Sequence, residues 1–261
     1  MTVLHVVALG AAFLFIAKAF AWCVQRVRGN AGIVDGVWAW ALGLLAGGFA
    51  WAGTAPEPVR VLVAVMGLAW GARLGTYLWR RNWASAEDWR YAQFRAEWGP
   101  QAQFKMFWFF QFQNLFTLAL AGSAFIPAAY GEGSPGPVGL VAAVAILLVS
   151  VWGEGLADEQ LRRFKADPAR RGQVCDIGLW RYSRHPNYFF ECVHWLAYIP
   201  LALGGSLWGW SLIAPAVMVL LLLKISGVPL LEAEMAVRKP GYAEYMARTS
   251  MLIPWPPKSP R

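Results

Sequence analysis

The sequence predicts an all-α integral membrane protein, and three observations carry that expectation. Hydrophobic residues fill 58% of the 261 positions and charged residues only 15%, with a mean hydropathy of +0.42. Soluble domains carry about 25% charged residues. The apolar residues fall in runs of about twenty, the length of helix that crosses a hydrocarbon core. Such unbroken runs exclude the alternating strands of a membrane barrel. Sixteen Trp and fifteen Phe fit the aromatic belts of membrane interfaces.

Seven spans are expected, at 2–22, 33–53, 59–79, 107–130, 137–157, 187–204 and 207–230, the sixth being the shortest. The first is apolar from Val3 to Trp22 with no small-residue cleavage site, so it reads as a membrane helix rather than a removed signal. Asp35 lies inside the start of the second, where an acid is rare without cause. In the third, Arg73 and Tyr77 stand four residues apart; an interfacial tyrosine and a catalytic one fit Tyr77 equally. Gln111, Gln113 and Asn114 interrupt the fourth, either as bonds between helices or as the lining of a substrate cavity. The fifth ends in Glu154, Asp158, Arg162 and Lys165, whose spacing puts them on one helix face. A salt-bridged, solvated face satisfies that pattern. So does a nucleotide, with carboxylate on ribose hydroxyls and cations on phosphates.

Between the fifth and sixth spans runs Gly178-Leu-Trp-Arg-Tyr-Ser-Arg-His-Pro-Asn-Tyr188, a polar aromatic box preceded by a basic loop. Arg184 suits bidentate contact with phosphate, and His185 offers a further donor. Pro186 fits the first turn of a helix, which sets Asn187 near free N–H groups that favour anions. Trp180, Tyr182 and Tyr188 offer flat faces to an aromatic ring. Glu191 follows Asn187 by one turn, and a buried carboxylate there requires a partner. An interfacial belt accounts for Trp180 and Arg181 but not for Arg-His-Pro-Asn-Tyr in a row. No glycine-rich fingerprint is present, so a Rossmann site is excluded. The stretches Leu231–Met235, Gly241–Tyr245 and Leu252–Trp255 predict a last amphipathic helix folded under the bundle. There Glu232, Glu234, Tyr242 and Tyr245 either close a pocket or stay exposed.

The net charge of +8 belongs to short loops, not to a basic domain, which argues against nucleic-acid binding. The connections after the first, third and fifth spans and the C-terminal tail are basic, whereas 54–58, 131–136 and 205–206 hold no Lys or Arg. That alternation places the N-terminus outside and the C-terminus in the cytoplasm. Cys23, Cys175 and Cys192, with His5, His185 and His194, show no metal-ligand spacing, so no metal is expected. The chain reads as one membrane domain over 1–261: helices one to four in 1–135 around a substrate cavity, and 136–261 holding a cofactor.

The box at 178–188, Glu191, and the terminal Tyr245 with Leu252-Ile-Pro254 resemble the C-terminal half of the steroid 5α-reductase family. Sterol C14-reductases and isoprenylcysteine carboxyl methyltransferases share that half more loosely. The resemblance covers 140–255 well and the first half weakly, and lies closest to bacterial members. It implies NADPH held from the cytoplasmic side of a bacterial inner membrane, and a lipophilic steroid-like enone entering a monomer from the bilayer. Asp158, Lys165, Asn187 and Glu191 match the family's cofactor residues, and Glu154 replaces an Asn. Tyr77, three residues before Arg80, matches the family's Tyr-x-x-Arg, whose Tyr binds the substrate's 3-keto oxygen. The family's acid on the second helix lacks a clear match, Asp35 being nearest. A late His is replaced, with Glu234 near its place.

Three functions follow as alternatives. The first is an NADPH-dependent reductase of 3-oxo-Δ4-steroids, or of another isoprenoid enone, with Tyr77 and Asp35 polarising the ketone. The second is an S-adenosylmethionine-dependent methyltransferase of a lipidic acid; the third is a scaffold that binds no nucleotide. Arg162 and Lys165 suit the phosphates of NADPH, which S-adenosylmethionine lacks. The topology has a direct check: a cysteine placed at Ser134 should label from outside the cell and one at Ala166 only from within. The reverse pattern would reject the orientation.

Overall fold

The computed structural model describes residues 1–225 and 228–259. It is all-α: the described residues form helices and turns, with a single isolated bridge between Ser183 and Ser250. In order these are α1 (Val3–Arg28), α2 (Ile33–Ala52), α3 (Glu57–Ala84), α4 (Trp89–Trp98), α5 (Ala102–Ala129), α6 (Gly136–Ala166), α7 (Pro186–Leu196), α8 (Tyr198–Ala202), α9 (Ile213–Leu220), α10 (Val228–Arg238) and α11 (Tyr242–Arg248). Six helical stretches are long and apolar enough to cross a membrane: α1, α2, α3, Trp89–Ala129, α6 and Trp208–Ile225. The chain is therefore a multi-pass membrane protein by length and composition.

Several elements depart from their predicted bounds. α1 runs six residues past the expected end, to Arg28, and Gly29, with a φ of 68°, turns the chain out of the helix. The polar stretch after the third span contains the helix α4, capped by the Asp88 side chain accepting from the Arg90 N–H. α6 carries the whole Glu154–Lys165 face beyond the expected end at 157. The predicted span 187–204 is an 11-residue helix, α7, that ends at Leu196 before the short α8. It does not reach the length of the six spanning stretches.

The helices group into two compact units, residues 1–136 with 201–214, and residues 137–200 with 215–261. In the first unit α2 and α3 touch backbone to backbone. A Cβ on Gly43 would lie 2.8 Å from the Gly67 carbonyl oxygen, and one on Gly71 would lie 2.7 Å from that of Ala39. Small residues at such a crossing replace side-chain packing with main-chain contact, the usual device where lipid removes the hydrophobic drive. α1, α4 and α5 complete this unit around Ala21, Ile33, Val37, Tyr91, Met106 and Phe110.

In the second unit one face of α6 organises everything else. Ser150, Gly153, Ala157, Gln160 and Phe164 recur at three- and four-residue intervals along it. The Ser150 hydroxyl donates to the Phe190 carbonyl at 2.9 Å, and Gly153 leaves room for the Phe190 ring. The Ala157 carbonyl accepts from the Trp180 indole N–H at 2.9 Å, and the Gln160 side chain accepts from the Leu179 N–H at 2.9 Å. An irregular loop thus has its polar groups met by α6. Gly71→Ala forces its methyl onto main chain that cannot yield. It should lower stability in detergent by about 1–3 kcal/mol, read by thermal unfolding, whereas Gly48→Ala, with open space around it, should stay near wild type.

Candidate functional site

The second unit brings together two residues that the sequence separates by 29 positions. Asn187 occupies the first turn of α7, behind Pro186, and its side-chain N–H donates to Asp158 Oδ1 on α6 at 3.1 Å. Glu154, one turn before Asp158, is buried on the same helix. Glu191, one turn after Asn187, is buried and accepts from the Trp195 indole at 3.2 Å. Tyr188 stacks on the His185 ring, centroids 5.3 Å apart and planes 12° apart.

Further along α6, Arg162 pairs with Glu159 at 2.6 Å instead of continuing a ladder from Asp158. Glu159 was not singled out from the sequence, and it holds Arg163 as well. Lys165 is exposed. Lys239, also unforeseen, donates to the Gln173 carbonyl at 2.9 Å. Burial, and then the charge of Lys165, hold the Lys239 ammonium below its ordinary pKa. Two lysines in one another's field mark a place where an anion is favoured.

Four residues expected to face a cofactor serve the loop itself. The Trp180 indole is buried against α6. Arg184 donates from Nη1 to the Met246 carbonyl at 2.7 Å, and its Nε lies 2.7 Å from Glu232 Oε1. His185 Nε2 donates to that same Glu232 oxygen at 2.9 Å. The Tyr245 hydroxyl donates to the Trp180 carbonyl at 2.5 Å. These guanidinium and phenol donors are spent inside the protein, so the free phosphate grip expected of Arg184 is replaced by a buried clamp. Burial holds the Tyr245 phenol well above its usual pKa and lifts Tyr242 to about 12, so both stay neutral donors at any physiological pH. Tyr182 is exposed, and Glu234 pairs with Arg238 at 3.0 Å.

The first unit holds the residues assigned to a substrate. Tyr77 is 58% exposed and lines a groove of about 620 Å³ with Ala72, Arg73, Thr76, Arg80 and Arg81. Asp35 finds its phenol elsewhere: the Tyr91 hydroxyl, on α4, donates to Asp35 Oδ1 at 3.3 Å. Tyr91 is only 7% exposed. Lys18, fully buried in α1, donates to Gln113 Oε1 at 2.8 Å and contributes with Arg90 and Arg81 to the field at Asp35. Gln111 bonds the Phe15 carbonyl and accepts from Asn114, whose own Oδ1 is buried with no donor among the described residues. A Lys inside an apolar run was the available signal for Lys18. Tyr91 gave none, since its stretch reads as a polar loop.

These features define an all-α, multi-pass membrane protein with a polar, partly cationic ledge in one unit and an acid–phenol pair, its phenol buried, in the other. The model of the family described as protein of unknown function (DUF1295) matches residues 21–249, and the chain belongs to that family, a steroid 5α-reductase-like group. No curated protein and no solved structure matches the chain.

The clamp makes a prediction. Glu232→Ala leaves Arg184 buried without its counter-charge and should cost about 3–5 kcal/mol. Hydrogen exchange should then rise first over 242–252. Equal protection there in variant and wild type would deny Glu232 this role.

Proposed function

We propose that the protein is an NADPH-dependent membrane reductase that saturates the C4–C5 double bond of 3-oxo-Δ4-steroids or of a similar isoprenoid enone. The bond between Asn187 and Asp158 carries this reading, because it joins the two residues that the family resemblance assigns to one nucleotide. Family membership supports it at the level of the group. In the same reading the chain crosses a bacterial plasma membrane seven times, α7 and α8 forming the sixth pass. The N-terminus then lies outside, and the C-terminus and the nucleotide site face the cytoplasm.

The residues present fit the cofactor's chemistry. Asp158 and Asn187 suit ribose hydroxyls, Lys165 and Lys239 suit phosphates, and Tyr188 offers a ring face. The paired lysines favour a phosphate-bearing cofactor over S-adenosylmethionine. NADPH bound there supplies the hydride that C5 receives. A phenol of the chain donates a hydrogen bond to the 3-keto oxygen, which makes C5 electrophilic and holds the enolate as charge moves onto oxygen. A proton then reaches C4.

Two phenols compete for that role. The resemblance favours Tyr77, and the hydrogen bond to Asp35 favours Tyr91. In purified protein NADPH should raise the unfolding temperature, and S-adenosylmethionine should leave it unchanged. Asn187→Ala should weaken NADPH binding by about 1–3 kcal/mol, and Lys165→Ala should raise its KM with a milder effect on kcat. Tyr→Phe at the acting phenol should lower progesterone reduction about 10²–10³-fold with NADPH affinity kept. A wild-type enzyme that reduces no enone with NADPH would sink the proposal.

A further inference from the structure

At the C-terminal end of the second unit, Asp176, Arg181, Arg248, Thr249, Pro257, Lys258 and Ser259 enclose a groove of about 420 Å³. Its walls carry three cations and one acid. The acid is already committed: Asp176 Oδ2 accepts from Arg248 at 2.5 Å. Arg181 and Lys258 make no side-chain hydrogen bond or ion pair among the described residues, so two positive charges face the groove without a counter-charge.

The groove is held open by main chain rather than by mobile side chains. The Lys258 N–H donates to the Arg248 carbonyl at 2.9 Å, and the Trp255 N–H donates to the Tyr182 carbonyl at 2.9 Å. The Ser183 hydroxyl donates to the Leu252 carbonyl at 2.7 Å. The same tail exposes large apolar side chains: Ile253 is 63% and Trp255 69% accessible, with Ile177 and Met251 also exposed. Unpaired cations beside exposed aliphatic and indole side chains match the layering of a membrane interface, charge at the headgroups and apolar groups just below.

We infer that this groove binds the phosphate of an anionic phospholipid headgroup, with Arg181 and Lys258 meeting the phosphate and Ile253 and Trp255 entering the acyl boundary beside it. A soluble phosphate uses the same two cations but leaves the exposed Ile253 and Trp255 without a purpose. None of the groove's cations belongs to the proposed nucleotide ledge, so the two sites stand or fall separately.

Native mass spectrometry of the full chain, released from detergent after titration with phosphatidylglycerol or phosphatidylcholine, tests this. Wild type should retain phosphatidylglycerol preferentially. Arg181→Gln and Lys258→Gln should each weaken it about fivefold, and together about thirtyfold, with phosphatidylcholine unaffected. The charge-conserving pair Arg181→Lys with Lys258→Arg should keep the preference, which separates charge from folding. Asp176→Asn should tighten phosphatidylglycerol binding. Ile253→Ser with Trp255→Ser should weaken both lipids alike. Unchanged phosphatidylglycerol binding in the double Gln variant overturns the site, as does loss of preference in the charge-conserving pair. Displacement of the lipid by millimolar inorganic phosphate would assign the groove to a soluble anion and overturn its lipid source.

Discussion

Lys18 stands among apolar side chains in α1 with no exposed surface, and Gln113 on α5 supplies the oxygen it needs. Leaving such a group unpaired in that environment costs several kcal/mol, more than most packing contacts return. The same demand recurs through the first unit. Gln25 meets Gln103 at 2.8 Å, and Asn30 donates to the Asn82 carbonyl at 2.7 Å while Asn82 reaches back to the Gly32 carbonyl. Each bond joins segments at least 50 positions apart, two of them tying the α1–α2 connection to α3, so polar pairing sets which elements are neighbours, and glycine contact between α2 and α3 then sets how near those two come.

The second unit answers that demand differently. Its loop between α6 and α7 is irregular and meets part of its hydrogen bonding in short turns of its own. Small residues on α6 let the loop approach, and Ala157 and Gln160 take its donors. From the other side Tyr245, Met246 and Leu252 complete the pairing. The ledge of Asp158, Asn187 and Glu191 is rigid because the loop leading into α7 is fastened on both sides.

Much of this was legible in the sequence. Apolar runs of helical length marked the six spanning stretches, because hydropathy needs only composition over a window. The face from Glu154 to Lys165 was legible because a continuous helix fixes side-chain direction by spacing alone, and the juxtaposition of Asp158 with Asn187 followed from the family resemblance. Three things were not legible. Glu159 diverts Arg162 because it lies three residues away on a neighbouring stripe, a choice that periodicity does not rank. Glu232 captures Arg184 and His185 across 48 and 47 positions, and no local pattern records which of the two acids in α10 turns inward. Tyr91 sits in a stretch whose charges read as a solvated loop, yet its own side chain is apolar enough to be buried with Phe94 and Phe109.

The fastening of the box to the tail bears on the order of assembly during synthesis. Arg184 waits for Ser250, Ser183 for Leu252 and Tyr182 for Trp255, so the Arg184 N–H, the Ser183 hydroxyl and the Tyr182 carbonyl lack these partners until residues some 65 to 75 positions later have left the ribosome. The helices of the first 136 residues pack mainly on one another, with Trp208–Leu212 added against α5, so this unit is complete once residue 214 has been made. The box therefore matures last, and a nascent chain stalled before residue 245 would carry completed membrane helices and an unformed ledge.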